Sequence, residues 1–530
     1  MNMENQLTKT PENLPEELLQ EEGKLLEERI KRLEEKIGEF DGGSLDRKTY
    51  KGISGGFGTY AQRDPARHMV RLRLPGGRLP SAQLKFIADS IERYQVEKIK
   101  LTTCETVQLH DLTAGQVPQL IREAAGAGIV CRGGGGDNPR NVMCSPLSGV
   151  QPGECFDVMP YAEAASRYLL TIAGSIHMPR KLKVAFCNGA DDSVHSAFRD
   201  MGFLAQADGT FSLRIAGGLG ANYKMGLLAD PKVKPEEILY YIKAMVDTFC
   251  EHGNYENRAK ARTRYLQETL GPEGLKEVFL ANVEKAKETG GLELKELCRP
   301  EAAAFSQPSG DSLDRRIPQK QPGLYAVKYH PIGGLLPREM PEKLYQILKE
   351  IPKAECRIAA HGTIYVINLS EAEAETVLRA TEDGARTEFE SSVACIGASI
   401  CQQGVRDSQA VLAAAVKAVR EAEIPDGALP KICISGCPSS CSAHQAAAIG
   451  FQGAAKMIDK KPMPAFKLFL GGSDQLGAAR FGEPDGTLLE ADIPAFLVEI
   501  GRAAAARDLS YGQWSSQYPE ELRALVEKYA

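Results

Sequence analysis

The chain repeats itself, and the repeat limits what it can fold into. LPGGRLP at 74–80 recurs as PIGGLLP at 331–337, and TTCETVQLHDL at 102–112 recurs as AAHGTIYVINL at 359–369. Gly76 matches Gly333, Pro80 matches Pro337, Thr106 matches Thr363 and Leu112 matches Leu369, all at one offset of 257 residues, whereas chance matches would scatter. Each copy reads strand, Gly-Gly turn, helix (81–94 and 338–350), strand, helix, which is an α+β half-unit of ferredoxin-like type. The expected fold class is α+β, with duplicated ferredoxin-like half-domains forming one pseudo-twofold domain and two α/β domains beside it.

At 530 residues the chain exceeds a single hydrophobic core. The divisions expected are a charged helical extension over 1–45, a first half-domain at 46–118, an α/β domain at 119–310, a second half-domain at 311–385 and a final α/β domain at 386–530. Within the extension, 14–40 carries a narrow apolar stripe, suited to a surface or a partner subunit. Both α/β segments hold a Gly-Gly strand end, IAGGLGANY (215–223) and LFLGGSDQLG (468–477). Segment 297–322, rich in Pro, Ser and charge, reads as a linker between the halves.

Hydrophobic residues at 43% and charged residues at 25% are ordinary for a soluble protein. No apolar run reaches the roughly 18 residues of a membrane span, and the first residues lack a basic segment followed by an apolar core. A cytoplasmic protein is expected, with the 13 cysteines serving as thiols and ligands rather than disulfides. The net charge of −6 gives no footing for nucleic acid.

Four of those cysteines stand apart. Cys395 and Cys401 form a C-x5-C (CIGASIC), and Cys437 and Cys441 a C-x3-C (CPSSC). Soft sulfur selects iron–sulfur or zinc, and zinc pairs are usually closer together, so the spacing favours a [4Fe-4S] cluster. The plainer alternative is four buried small hydrophobes. Gly397, Gly404, Gly436 and Pro438 crowd both pairs, however, and free the backbone to wrap a cluster and aim N–H groups at its sulfides.

CIGASIC and SGCPSSC resemble the two cysteine motifs of the siroheme-dependent sulfite and nitrite reductases, a likeness that extends over about 45–530. It implies that Cys395, Cys401, Cys437 and Cys441 ligate the cluster and that Cys441 also bridges to the siroheme iron. Where the family commonly has Asn in the second motif, this chain has Ser439 and Ser440. In place of the arginine of T-[TN]-R-Q it has Cys104, followed by Glu105.

Siroheme carries eight carboxylates and needs cationic and hydrogen-bonding groups on one surface. In MVRLRLP (69–75) the period of two puts Arg71 and Arg73 on one face. KIKLTTCETVQLH (98–110), read as one strand, puts Lys100, Thr102, Cys104, Thr106, Gln108 and His110 on another. A solvated face of an antiparallel sheet is the plain alternative for both. The resemblance makes Arg73, Lys100, Thr102, Gln108 and Cys441 cofactor-binding. It adds Arg140 from GDNPRNVMC (136–144), and Lys181 and Lys183 from MPRKLKVAF (178–186). With Arg71 these form a four-cation cup for a small anion. His444 is expected on a helix surface or behind the ligands, and Cys433 in packing.

The implied activity is a six-electron reduction of a small oxyanion. Lys181 and Lys183 favour sulfite to sulfide, with nitrite to ammonia as the near alternative. A precorrin-type oxygenase and a zinc-stabilised interaction protein are the more distant ones. No G-x-G-x-x-G follows a strand with a downstream acid, and no C-x2-C-x2-C is present, so electrons are expected from a separate ferredoxin or other donor protein.

Overall fold

A computed structural model of the chain describes residues 16–295, 297 and 315–530, with side chains from residue 25 onward. In the first half the strands are β1 (Thr59–Ala61), β2 (His68–Leu72), β3 (Arg78–Leu79), β4 (Ile99–Leu101) and β5 (Val107–Leu112). They are followed by β6 (Met143–Cys144), β7 (Val184–Cys187), β8 (Met201–Ala205), β9 (Phe211–Ile215) and β10 (Leu227–Val233). The second half repeats the series: β11 (Arg316–Pro318), β12 (Tyr325–Tyr329), β13 (Leu335–Leu336), β14 (Glu355–Ile358) and β15 (Ile364–Leu369), then β16 (Val393–Ala394), β17 (Ile432–Ser435), β18 (Ile449–Ile458), β19 (Lys461–Leu470) and β20 (Glu483–Leu489).

These strands build four sheets of five, and the sheets come in matched pairs. One pair has the orders β1-β2-β5-β4-β13 and β11-β12-β15-β14-β3, so each half-domain receives its last strand from the other. Leu335 and Leu336 pair with Lys100 and Ile99, while Leu79 and Arg78 pair with Cys356 and Arg357. The Gly-Gly turns make this exchange possible. Gly76 and Gly333 sit at φ 61° and 62°, left-handed backbone that glycine adopts without strain. The other pair has parallel β6-β7-β8 continuing antiparallel into β9 and β10, and parallel β16-β17-β18 continuing into β19 and β20. The twofold repeat legible at 74–112 and 331–369 therefore runs on through both α/β parts.

One apolar core serves both half-domains, mixing Val70, Leu72, Ile99 and Leu109 with Val327, Ile358 and Val366. Ile30, Leu33 and Ile37, spaced at i, i+3 and i+7 on the helix Glu16–Asp41, are buried in the same core. The stripe thus faces the chain's own half-domains and not solvent, each burial adding roughly 1.5–3 kcal/mol. Of the expected linker, 298–314 lies outside the described residues, while Arg316–Pro318 is strand β11. Among the described residues no helix is long and apolar enough to cross a membrane.

The segment 98–110 is not one strand. β4 and β5 form an antiparallel hairpin whose turn holds Thr103, Cys104 and Glu105, with Glu105 at φ 56° and the Thr102 and Thr106 hydroxyls 2.6 Å apart. Short polar residues favour a turn over a continuous strand here. The shared face nevertheless survives in part. Lys100 lies opposite Gln108, and Gln108 opposite Arg71, and cross-strand partners point to the same side.

Candidate functional site

The two cysteine loops are built to present sulfur. Asp407 caps the helix Ser408–Glu421 through the N–H groups of Gln409 and Ala410, which sets Ser408 Oγ 3.1 Å from Cys395 Sγ. The Gly436 N–H donates to Cys395 Sγ at 3.2 Å, and a Cβ on Gly436 would meet Arg406 O at 2.4 Å, so only glycine fits. The first half-domain pins both loops. Arg63 donates to Gly404 O at 2.6 Å and to Cys401 O at 3.3 Å, and Thr103 Oγ1 donates to Cys441 O at 2.7 Å.

The four thiols form one electrostatic group. Burial pushes Cys441 up to about 12, and Cys395, Cys401 and Cys437 push it the same way while Lys181 opposes them. Burial also raises Cys401, again with Cys395 and Cys437 adding to the effect. Cys441 nevertheless keeps solvent-accessible surface. Among the described residues no three His, Cys, Asp or Glu side chains are arranged to hold a single metal ion.

Beside Cys441 the expected cations converge. Lys181 and Lys183 are half-buried on either side of buried Leu182, which bridges to Pro139 and brings Arg140 alongside. Burial drives Lys181 well below its usual range, Lys183, Arg262 and Arg140 drive it further, and Cys441 opposes them. Burial lowers Arg140 to about 10, with Tyr60 and Cys104 opposing and Arg71 adding to it. The guanidinium of Arg140 is held by Gly133 O at 3.1 Å and Gly136 O at 2.8 Å, and that of Arg71 by Gly134 O, so the glycine run 133–136 aims both. Nearby carboxylates are taken elsewhere: Asp137 pairs with Arg180 and Arg258, and Asp200 with Arg262.

Other expected residues sit differently. Arg73 is 2% exposed and donates to the carbonyls of Arg132, Pro139 and Arg140, so it supports the 132–140 loop from behind. Lys100 is buried and donates to Gly333 O at 2.7 Å, tying one half-domain to the other; burial lowers it to about 8. Thr102 is engaged with Thr106 in the turn. Gln108, with its amide turned, accepts from Arg71 at 2.6 Å and so orients that cation. His444 is fully buried against Phe469, not on a helix surface, and both ring nitrogens lack partners.

Four residues escaped the sequence reading. Arg199 lies within electrostatic reach of Cys104. Tyr60 accepts the Gly136 N–H at 2.6 Å; burial raises its phenol, but Arg140, that N–H and Arg71 outweigh burial and acidify it. Arg262 pairs with Asp200 at 2.9 Å. Arg264 is 6% exposed, with Nε and Nη1 unpartnered, beside Gly218 and Gly220 and towards Pro438 of the cysteine loop. Arg262 and Arg264 flank Thr263 at the start of a short 3-10 turn, Thr263–Tyr265, which no strand pattern reveals.

Residues 60–127 match the nitrite/sulfite reductase ferredoxin-like half domain, and residues 135–287 match the nitrite and sulphite reductase 4Fe-4S domain. A chloroplastic ferredoxin–nitrite reductase of Zea mays is 30% identical over 436 residues, covering 77% of this chain and 73% of the relative. The chain belongs to the nitrite and sulfite reductase family. The ferredoxin–nitrite reductase of Synechococcus elongatus is 28% identical over 77% of this chain and 80% of its own length. An assimilatory ferredoxin-dependent nitrite reductase of Haloferax mediterranei is 24% identical over 78% and 76%. The fold matches that of the Mycobacterium tuberculosis NirA protein with a TM-score of 0.77 over 91% of this chain and 92% of that one, at 22% identity.

This oxidoreductase carries siroheme and a [4Fe-4S] cluster, as its family does. The residues present fit both. Buried donors on Arg264 (Nε and Nη1) and Arg262 (Nε) lack a partner within the chain, and the carboxylates of siroheme are acceptors of the kind they could take. The matched 4Fe-4S segment, 135–287, contains Arg140, Lys181 and Lys183, whereas the four cysteines lie in its twofold counterpart, so the two α/β parts together make the site.

Proposed function

We propose that this chain reduces nitrite to ammonium, with electrons delivered one at a time by a ferredoxin-type protein. Nitrite, six electrons and eight protons give ammonium and two waters. The observation that carries the reading is that Arg71, Arg140, Lys181 and Lys183 lie within electrostatic reach of one another, with Lys181 also within reach of Cys441. Nitrite is preferred over the sulfite suggested by the paired lysines because the curated relatives matched over three quarters of the chain are nitrite reductases.

Cys395, Cys401, Cys437 and Cys441 would hold the cluster, and Cys441 the siroheme iron as well. Arg262 and Arg264 would meet siroheme carboxylates. When bound, the cofactors would supply an electron reservoir and an iron that can bind the anion. The chain's own work is to bind, orient and protonate. Arg71 and Arg140, fixed by the glycine run, hold the anion's oxygens where negative charge builds as electrons enter. Lys181 gives up its proton more readily than an ordinary lysine, because burial and neighbouring cations weaken its hold on it, and so serves as proton donor. Tyr60, acidified by Arg140 and Arg71, can pass a proton towards the same cations.

The test uses protein made in cells that synthesise siroheme, given reduced methyl viologen and either anion. Ammonium formation from nitrite should exceed sulfide formation from sulfite in kcat/KM. Arg140→Gln should lower the nitrite value roughly ten- to a hundredfold, the worth of one hydrogen bond to a charged group. A higher kcat/KM for sulfite would overturn the nitrite reading.

A further inference from the structure

Lys100 is a buried cation that no carboxylate of the described residues neutralises. It is 5% exposed on β4, between Gln108 of β5 and Leu335 of β13, and its Nζ donates to Gly333 O at 2.7 Å. The twofold repeat shows what such a position otherwise requires. The mate of Lys100 at the offset of 257 is Arg357, 7% exposed, whose guanidinium pairs with the Glu355 carboxylate and donates to Ser148 O at 3.3 Å. The mate of Glu355 is Lys98, so the first half has a second cation where the second half has the counter-charge. A buried cation left without a counter-charge is strongly destabilising.

The ammonium is tied to a cysteine loop. Gly333 O also accepts from Gln409 Nε2 at 3.0 Å, and the same amide donates to Cys395 O at 2.9 Å and Ala394 O at 3.2 Å. The Gly-Gly turn makes room on both sides: a Cβ on Gly334 would meet Lys100 Nζ at 2.5 Å, and one on Gly333 would meet Gln409 Oε1 at 2.4 Å. One carbonyl and one amide therefore link Lys100 to Cys395. Arg357 lies instead against the loop after β6, where Ser145 follows the strand as Cys395 follows β16. The carboxylate is kept beside the loop that begins with serine and omitted beside the one that begins with cysteine.

We propose that Lys100 is the counter-charge of the cluster and raises the potential at which the donor protein reduces it. This rests on the reading of Cys395 as a cluster ligand. Four thiolates on a [4Fe-4S] core leave a net negative charge, which one added electron deepens; no bond changes at Lys100 and no proton moves. A fixed cation nearby favours the reduced state, since net charge and surroundings set such potentials. Burial lowers Lys100 only to about 8, with Cys395 opposing, so the ammonium is charged at neutral pH.

The experiment compares holoenzyme of the wild type, Lys100→Gln, Lys100→Met and Lys100→Arg, with the midpoint potential of the cluster read by electron paramagnetic resonance during titration with dithionite. Gln keeps a donor for Gly333 O without the charge, and Arg keeps both. In Lys100→Gln and Lys100→Met the potential should fall by about 59 mV, a roughly tenfold shift in a one-electron equilibrium, and in Lys100→Arg it should stay close to wild type. An unchanged potential in Lys100→Gln, or an equal fall in Lys100→Arg, would overturn the inference. Where Lys100→Met does not load a cluster, Lys100→Gln decides; loading in Lys100→Arg alone supports the inference, and failure of all three makes Lys100 a structural tie and overturns it. Cys395→Ser separates the ligand reading: a cluster that survives there, counted as iron, refutes Cys395 as ligand, whereas its loss together with unchanged potentials at position 100 refutes the inference alone.

Discussion

Cys441 and Cys356 carry the same thiol in opposite settings, and replacing each by serine separates ligation from packing. Cys441 keeps accessible surface, so Cys441→Ser should leave the apoprotein's stability, from urea unfolding, within about 0.5 kcal/mol of wild type. Oxygen is a poor substitute for a soft ligand, and the visible bands of the holoenzyme should be lost. Cys356 on β14 is fully buried in the core shared by the half-domains, where burial pushes its thiol up to about 12. A serine hydroxyl there has no partner to replace water, so Cys356→Ser should cost about 1–3 kcal/mol while the bands are retained. Equal loss of stability in both, or bands that survive in Cys441→Ser, would contradict this division.

At the scale of elements, the hairpin β4–β5 shows what was legible and what was not. The polar face was readable because alternation fixes sides, and it survived because Lys100, Gln108 and Arg71 are cross-strand partners. The turn was hidden because TTCE carries no Gly or Pro, and the left-handed Glu105 had no signal of its own. K-L-K shows the alternation the sequence suggests, since Leu182 is buried between two half-buried lysines. The backbone partners of Arg73 and Lys100 were not legible, because carbonyls from distant segments hold both and no pattern within a strand reveals those. Arg63 is another such long-range tie, reaching the carbonyls of Cys401 and Gly404 from beside β1. It is exposed, so Arg63→Ala should barely alter global stability. Cluster absorbance should nevertheless bleach several-fold faster in the variant under chelator and air, because the loop holding Cys401 is freer to open. An unchanged bleaching rate would show that this tie does not hold the cluster.

For the whole molecule, the exchanged strands β3 and β13 make the two halves one cooperative body, and the repeat has diverged in charge across the twofold axis. Where the first half has Arg73, Thr106 and Cys104, the second has His330, Thr363 and His361 at the offset of 257. His330 is 3% exposed, its Nδ1 lies 2.9 Å from Thr363 Oγ1, and its Nε2 has no partner. Burial, then Lys328 and Lys100, push it down to about 3. In the unfolded chain the same ring takes up its proton near pH 6.5. Between these values the unfolded state binds more protons, so the ring's contribution to stability is complete above about 6.5 and is lost as pH falls from there towards 3. From pH 7.0 to 5.5 that loss is about 1.2 kcal/mol, at 1.36 kcal/mol per pKa unit. In His330→Gln, which cannot titrate, the fall in apoprotein stability between those pH values should therefore be smaller than in the wild type by about 1 kcal/mol, measured from urea midpoints. Carboxylates with ordinary or depressed values change protonation only at lower pH and do not enter the comparison. Raised carboxyls such as Asp192, at about 6, gain stability over this interval but do so alike in both proteins. Equal falls in the two proteins would mean that His330 is protonated in the fold and that its burial is relieved by water at Nε2.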